Sequence, residues 1–476
     1  MVRLESMIKN NRRSFFCISL FICLLSLVAC DSKPVVTQET PASTPTSLST
    51  AKFTPTLSPK PSATPSSSNL DMPAGIQVTF WHPWPGVLAN LVEDMAEDFN
   101  QNNAWGIQVQ VESHADALVL LEDIQQAQDA GALPHMMAAS PDSLRYWYAQ
   151  GLPLRDLNAY LDAQPYGFTK EELASFLPVF WKADIAGDVR LGLPAYRSGS
   201  FLMYNQSWAR DLGFSEYPKT SDQFREQSCA AARANLGIVS GTGGWFYDTR
   251  STTLLSWMGA FSGEEWIPVK GNLVFQSADN QAALEYLYDL FNADCAWVGR
   301  QSLPYEYFSR RYALLYSAAS EDIFLQKTAN SKGNNQDEWT LIPYPSDDFR
   351  PVVYVSGFSY AILTEAEDES LAAWLFIKYL LEAQNQQEMI EATGSLPLSN
   401  MAINLLSAFR ESHPAWGQTL QYLPFARALP SSPNWGSIQP LFSDIAWQLK
   451  QFNLGREKIP AILADADQIV SEISQP

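Results

Sequence analysis

The first residues with chemical potential stand in one loop near the start of the folded region. Trp81, His82 and Trp84 lie there, in a loop stiffened by two prolines. Indole rings offer flat apolar faces at little entropic cost, and an imidazole adds a polar group beside them. The combination favours a binding site for a sugar ring. For each tryptophan alone, capping of a sheet core is an equally good interpretation, because tryptophan is usually buried.

Two later stretches also carry candidate binding residues. Ser140 ends a short apolar run and precedes a proline. Either Ser140 or Asp142 is expected to cap a helix there, and the free amides of that helix also suit the hydroxyls or carboxylate of a ligand. Two glycines precede Trp245, and glycine permits close approach of the backbone to a ligand. Trp257, on the predicted helix that follows, is expected to lie in the core.

The first loop is positioned by a predicted strand, helix and strand between Ile76 and Glu112. Apolar and polar residues alternate at both ends of this stretch, and an apolar stripe recurs at helical spacing from Leu88 to Phe99. Two parallel strands joined in this way need the helix as a crossover. The stretch therefore predicts an open α/β sheet whose ligands bind beyond the carboxyl ends of its strands.

The N-terminus has the pattern of an export signal. Four basic residues within the first 13 precede an apolar run at 14–29, which is too short for a spanning helix of about 20 residues. The run closes with Leu27-Val28-Ala29-Cys30, which resembles a bacterial lipobox, where cleavage leaves a lipidated cysteine at the new N-terminus. Lipidation at Cys30 would hold the protein on a membrane without a transmembrane helix. The alternative is an ordinary signal with an incidental cysteine.

A Ser, Thr and Pro-rich segment at 30–75 follows the predicted signal peptide at 1–29. Its composition cannot bury enough apolar area to offset chain entropy, which predicts a disordered tether. The remaining 400 or so residues are too many for one simple core and suggest two lobes. Asp and Glu outnumber Lys and Arg 51 to 31, giving a formal charge of −20, which argues against nucleic acid as a partner.

Cys229 and Cys295 are the two cysteines left outside the predicted signal and lipidation site. In an exported protein a disulfide between them is plausible, and two buried thiols remain the alternative.

Three further motifs resemble the bacterial extracellular solute-binding proteins of ABC transporters, in the family that includes maltose-binding protein. They are Gly192-Leu193-Pro194, Tyr204-Asn205 opening a predicted helix, and Pro218-Lys219-Thr220 before another. The resemblance continues in the same order through nearly all of the chain after the tether. Arg310 and Arg311 depart from it, because small residues are usual there.

The resemblance implies a two-lobe α/β fold of the periplasmic-binding-protein type (type II, Venus-flytrap). It divides the chain into lobe 1 at 76–193 plus 356–398 and lobe 2 at 194–355 plus 399–476, with crossings near Pro194, Ser356 and Leu398. The implied function is capture of a sugar or oligosaccharide between the lobes and delivery to membrane permease subunits, by a monomeric, lipid-anchored protein on the outer side of the cell membrane. The site residues that it adds to Trp81, His82, Trp84 and Ser140 are Tyr204, Trp245, Tyr354, Ser356, Gly357 and Trp435. Trp435 is equally well explained as a surface loop anchor.

Other functions find less support in the sequence. It has no phosphate loop, no His-Glu-x-x-His and no Cys-x-x-Cys, so no cofactor or metal is expected. A secreted glycan-degrading enzyme is the main alternative and predicts two convergent carboxylates in one cleft. The same fold binding a polyamine or a peptide is a third possibility, which predicts acidic residues at the rim.

Overall fold

A computed structural model of the chain describes residues 74–263, 273–299, 303–348, 350–430, 432, 434–451 and 454–474. All of them belong to a compact unit that spans residues 65–476. The predicted signal peptide at 1–29, the lipidation site at Cys30 and nearly all of the predicted tether at 30–75 lie outside the described residues. Across the ranges given above, each helix is too short or too polar to cross a membrane.

The strands are β1 (Gln77–His82), β2 (Gln108–Ser113), β3 (Met136–Ala139), β4 (Ile185–Ala186), β5 (Val189–Arg190), β6 (Leu193–Asn205), β7 (Gly243–Phe246), β8 (Ala296–Trp297), β9 (Ala313–Ala319), β10 (Trp339–Ile342), β11 (Val353–Ile362) and β12 (Ala426–Ala428).

The helices of the first half are α1 (Gly86–Asn102), α2 (Ala117–Ala130), α3 (Pro141–Ala149), α4 (Lys170–Ser175), α5 (Pro178–Trp181), α6 (Gln206–Asp211), α7 (Ser221–Asn235) and α8 (Ser251–Ser262). Those of the second half are α9 (Ala278–Asn292), α10 (Pro304–Ser309), α11 (Asp322–Lys332), α12 (Glu367–Leu380), α13 (Ala383–Thr393), α14 (Asn400–Leu405), α15 (Ser407–Ser412), α16 (Pro414–Gly417), α17 (Trp435–Leu449) and α18 (Ile459–Ile473). Short 3-10 helices occupy Leu157–Tyr160, Gln418–Phe425 and Arg456–Lys458.

The predicted strand, helix and strand are confirmed as β1, α1 and β2. The two strands pair in parallel, with Val78 opposite Val109 and Phe80 opposite Val111. Helix α1 buries Val92, Met95, Ala96 and Phe99, which share one face at helical spacing. The crossover helix therefore covers one side of the sheet, as parallel pairing requires.

The main sheet is mixed and continuous, in the order β2-β1-β3-β11-β6-β9-β7-β8. Strand β10 adds to β6 and β12 adds to β11. Strands β1 to β3 lie at one end of this order and β7 to β9 at the other. The predicted α/β class is confirmed, and the two ends of the sheet are joined through β6 and β11.

Strand β6 changes partner in the middle of its length. Its first part pairs antiparallel with β11, with Ser198 opposite Ser356. From Ser200, which lies opposite Ala319, it pairs antiparallel with β9. Strand β11 makes the matching change, since its first residues pair with β12 and its last residues pair with β3. Both strands thus run from one half of the sheet to the other.

The contact between these two strands requires glycine at one position. Gly357 has φ of 146°, in the region that favours glycine. A Cβ atom there would overlap the carbonyl oxygen of Tyr196 on β6. Gly357 is therefore fixed by the close approach of two backbones.

A buried ion pair ties the same two strands to the first half of the sheet. The Arg197 guanidinium on β6 donates to the carboxylate of Asp184 at 3.2 Å and to Ser359 Oγ on β11 at 2.9 Å. Arg197 also donates to the carbonyl oxygen of Phe358. Both charged side chains are fully buried, so each charge must be neutralised by the other.

The core of the second half surrounds β7 and contains Trp245. Its ring is fully buried, with centroids 5.7 Å from Phe224, 5.0 Å from Tyr247 and 5.5 Å from Trp257. The glycines before it allow β7 to approach other backbone, because a Cβ on Gly243 or Gly244 would overlap α7 or the residue before β8. A disulfide joins Cys229 on α7 to Cys295 beside β8 in the same region.

Gly357→Ala is expected to lower the free energy of unfolding by at least about 2 kcal/mol, because the new Cβ meets both an unfavourable φ and a backbone oxygen. Gly436→Ala is the matched control. No atom lies within 4 Å of a Cβ at this helical position, so stability should rise by up to about 1 kcal/mol. Urea unfolding, monitored by circular dichroism, measures the stability of both variants. Equal changes in the two would mean that Gly357 is not required by the contact between β6 and β11.

Trp245→Ala is expected to cost about 3–5 kcal/mol of unfolding free energy, the range for removing a buried aromatic ring. Trp447→Ala, on the helix α17, is the control. This ring is 53% exposed, and its removal should change stability by no more than about 0.5 kcal/mol. Thermal and urea unfolding of both variants give the comparison. An unchanged Trp245→Ala protein would mean that the ring is not part of the core.

Candidate functional site

A cavity of about 680 Å³ lies where β6 and β11 run beside each other. Its floor consists of Tyr196, Arg197 and Ser198 from β6 and of Tyr354 to Phe358 from β11. The cavity therefore opens on the two strands that connect the halves of the sheet.

Its walls come from widely separated parts of the chain. One wall holds the start of α3, from Ser140 to Asp142, with Arg145 one turn later. The segment after α5 adds Lys182. The other wall holds Gly263 at the end of α8, Arg427 on β12 and Gln439 on α17. Because both halves of the sheet contribute, a change in their separation would open or close this space.

Among the described residues, three aromatic ones line the cavity. Tyr196 is half-buried and donates its hydroxyl hydrogen bond to Glu321. Burial and the carboxylate of Glu321 raise the pKa of Tyr196 well above its ordinary value, so the phenol stays neutral. Phe358 and Tyr354 complete the set, and Tyr354 is only 4% exposed. These rings supply the flat apolar faces that a sugar ring requires.

Hydroxyl and amide groups lie among the rings. Ser198 Oγ donates to Glu321 Oε2 at 2.5 Å, opposite Ser356 on the neighbouring strand. Gln439 Nε2 donates to Ser251 Oγ at 2.9 Å, which orients the amide. The cavity can thus form neutral hydrogen bonds to a polar ligand in addition to stacking contacts.

Four of the residues predicted from the sequence line this cavity: Ser140, Tyr354, Ser356 and Gly357. Ser140 also caps α3, accepting a hydrogen bond from the amide of Ser143 at 3.3 Å. The two interpretations of this serine are therefore compatible. Tyr354 packs its ring against Gly259 of α8, where a Cβ would overlap it.

Trp81 and His82, predicted to lie in a loop, are the last two residues of β1, and Trp84 follows the strand. None of these three residues lines the cavity. Trp84 is buried behind it, with its ring centroid 5.9 Å from Phe358 and 5.0 Å from His82. Burial, with a smaller contribution from His114, lowers the pKa of His82 to about 4. His82 is thus neutral at pH 7. Trp81 lies on another side, with its ring 4.7 Å from that of His114.

Three other predicted site residues lie in the core of the second half. Tyr204 donates its hydroxyl hydrogen bond to Gln227 Oε1 at 2.8 Å and is buried. Trp245 is surrounded by the rings described above. Trp435 begins α17 and is buried with its ring 5.7 Å from that of Phe442, so it is not a surface anchor either. The structure therefore does not bring these rings to the cavity.

Sequence reasoning missed Tyr196, Arg145 and Arg427 as lining residues. Tyr196 stands two residues after the Gly-Leu-Pro motif, so the strand that the motif opens was a usable signal. Arg145 follows Pro141 by four residues and Asp142 by three, so helical spacing could have placed it on the same face as the start of the helix. Arg427 lies on a three-residue strand, which has no periodicity to detect.

Solved structures with similar folds include two sugar-binding proteins. The cyclic α-maltosyl-1,6-maltose binding protein of Arthrobacter globiformis has a TM-score of 0.70 at 17% identity, over 84% of this chain and 98% of that one. The sugar-binding protein MalE of Xanthomonas citri has a TM-score of 0.71 at 20% identity, over 83% and 97%.

A third similar structure was solved with a different ligand. UgpB of Mycobacterium tuberculosis, in complex with glycerophosphocholine, has a TM-score of 0.68 at 14% identity, over 83% of this chain and 98% of that one. These similarities establish the periplasmic-binding-protein fold. No curated protein sequence matches the chain significantly.

The family model for the bacterial extracellular solute-binding proteins matches residues 94–416, well over half of the chain. With the fold and the cavity between its halves, this match shows that the protein belongs to the family of bacterial extracellular solute-binding proteins.

Proposed function

We propose that the protein is the lipid-anchored substrate-binding component of an ABC importer, and that it captures a sugar or oligosaccharide in the cavity at the crossing strands. The proposal rests mainly on the residues that line the cavity. Tyr196, Tyr354 and Phe358 provide rings, and Ser198, Ser356 and Gln439 lie among them with polar groups. Rings and neutral hydrogen-bonding groups in one concave space suit a carbohydrate.

Two lobes close on the ligand in this proposal. One lobe is built on β1 to β3 and the other on β7 to β10, with β6 and β11 passing between them. A ligand that touches both walls of the cavity favours the closed state, and the shift is limited by its differential affinity for the two states. Membrane permease subunits then recognise the closed, loaded protein. The protein acts as a monomer.

Binding without catalysis is the second part of the proposal. Among the described residues that line the cavity, Asp142 is the one that carries a carboxylate. Glu321, behind Tyr196 and Ser198, already accepts hydrogen bonds from these two residues and from Ser320. Glycoside hydrolysis generally needs two carboxylates flanking the scissile bond. The arrangement favours capture over hydrolysis, and it gives little support to a polyamine, which needs several acidic groups.

The similar structures support the choice of a carbohydrate. Two of the proteins compared above are named for binding sugars, and a third, from Thermus thermophilus, was solved bound with maltotriose at a TM-score of 0.62 and 17% identity. The lipobox-like sequence ending at Cys30 supports a lipid anchor on the outer face of the membrane.

A ligand of this cavity is expected to stabilise the folded protein by about 2.7 kcal/mol at a hundredfold excess over its Kd, because it binds the folded form alone. Thermal unfolding against a panel of mono- and oligosaccharides measures the effect. Tyr196→Ala should weaken binding at least about tenfold, or 1.4 kcal/mol, by removing a ring from the floor of the cavity.

The matched control is Tyr148→Ala. This tyrosine is 40% exposed on α3 and lies outside the cavity, so ligand binding should not change. Tyr196→Phe keeps the ring and should retain most of the affinity. If no carbohydrate raises the unfolding temperature, or if a glycan in the panel is cleaved, the proposed function is wrong.

Cys30→Ser is expected to move the protein from the membrane fraction to the soluble fraction of expressing cells, because acyl chains at this residue provide the anchor. Cell fractionation with immunoblotting measures the distribution, and mass spectrometry of the N-terminal peptide detects the acyl groups. Cys23→Ser, within the predicted signal peptide, is the control and should leave the protein on the membrane. An unmodified Cys30 in the membrane-bound protein would contradict the anchor.

A further inference from the structure

We infer that Glu321 is a positioning residue for the ligand, because it holds the hydroxyls of Tyr196 and Ser198 as acceptors of hydrogen bonds from the sugar. The inference rests on the proposed function and narrows its ligand to a carbohydrate with free hydroxyl groups at this part of the cavity. A group without a proton to donate, such as an ether oxygen, a carboxylate or a phosphate ester, would not suit the same position.

The position of Glu321 follows from the register of two strands. Strands β6 and β9 pair antiparallel, with Ser200 opposite Ala319. The backbone contact continues beyond the end of β9, since the amide of Ser320 donates to a carbonyl oxygen of β6 at 3.1 Å. Continued by one more residue, the same register places Glu321 opposite Ser198. Its side chain therefore reaches β6 where that strand forms the floor of the cavity.

Three hydroxyl groups donate to the carboxylate of Glu321. Oε1 accepts a hydrogen bond from the hydroxyl of Tyr196. Oε2 accepts one from Ser198 Oγ at 2.5 Å and one from Ser320 Oγ at 2.9 Å. Burial raises the pKa of Glu321 above its ordinary value, and the three hydroxyls oppose that rise by donating to the ionised form. The donors are thus arranged for a carboxylate, which can only accept hydrogen bonds.

This arrangement determines what the two hydroxyls of the cavity floor can offer to a ligand. A hydroxyl group has one proton to donate and two lone pairs that accept. Tyr196 and Ser198 each donate that proton to Glu321, so a lone pair is what remains for a ligand. A ligand oxygen without a proton would place its own lone pairs against these, with a carboxylate behind them. A sugar hydroxyl avoids this repulsion because it can donate.

Glu321 acts through these two residues and not by contact with the ligand. Tyr196 and Ser198 are two positions apart on β6 and therefore share one face of the strand. Both line the cavity, whereas Glu321 is not among the described residues that do. Because they bind the two oxygens of one carboxylate, their hydroxyls lie close enough for a single sugar to donate to both.

The first part of the test measures sugar binding to the purified protein by isothermal titration calorimetry. The parent sugars are glucose, galactose, mannose and maltose, each with its monodeoxy and monodeoxyfluoro derivatives. Ser198→Ala should weaken binding of the parent sugar about three- to tenfold, the range for one hydrogen bond. The sugar position at which removal of the hydroxyl costs nothing further in this variant is the one that contacts Ser198. In the unaltered protein, fluorine at that position should be no better than hydrogen, because neither can donate.

The second part uses Glu321→Gln, which keeps the shape of the side chain but adds an amide donor. One of the two hydroxyls must then accept from the amide, and its own proton becomes free for the ligand. The fluorinated derivative should therefore bind at least about threefold more tightly than the deoxy one at the position facing that hydroxyl. Glu388→Gln, exposed on α13 and outside the cavity, is the matched control and should leave every affinity unchanged.

A purely structural role of Glu321 would weaken binding of all derivatives equally in Glu321→Gln and would overturn the inference. In the unaltered protein, a fluorinated derivative that binds more tightly than the deoxy one at the position facing Ser198 would overturn it too, even if Glu321→Gln does not fold. So would an unchanged affinity of Ser198→Ala. Each of these results requires a parent sugar that binds, so the proposed function would stand. Absence of binding by all four parent sugars would contradict both.

Discussion

The structure depends on the contact between β6 and β11, the two strands shared by both halves of the sheet. Gly357 lets the two backbones approach, since any side chain would overlap the opposite carbonyl oxygen. Arg197 then joins the strands to Asp184 through a fully buried ion pair. Removing one partner of such a pair leaves an uncompensated charge in the interior, which is strongly destabilising. The two strands are thus held against each other, and the cavity is built on this contact.

This constraint explains which aromatic residues line the cavity. The rings that line the cavity stand on the crossing strands, as Tyr196, Tyr354 and Phe358 do. Rings elsewhere, such as Trp245, complete the cores on which the halves of the sheet rest. Trp84 connects the two groups of rings, because it lies in the core and packs edge-to-face against Phe358. Stacking surface and structural core are therefore parts of one connected layer.

Several arginines also lie near the crossing of β6 and β11. Acidic residues outnumber basic ones 51 to 31, which disfavours polyanions as partners. The guanidinium groups instead gather where strands from distant parts of the sequence meet. Arg145 links the carbonyl oxygens of Ala183 and Pro430, on opposite walls of the cavity.

The sequence by itself determined the fold class, since the alternation in β1 and β2 and the stripe on α1 are local patterns with one good structural solution. The order of the motifs indicated the family, and the resemblance placed Ser356 and Gly357 among the candidate site residues. Only the tertiary structure decided which aromatic side chains face the cavity. A ring that packs in a core and a ring that stacks on a ligand have the same local signature, so Trp245 and Tyr196 cannot be told apart by spacing. Arg145 and Arg427 line one cavity although they are 282 residues apart in the chain, and the sequence near either one gives no indication of the other.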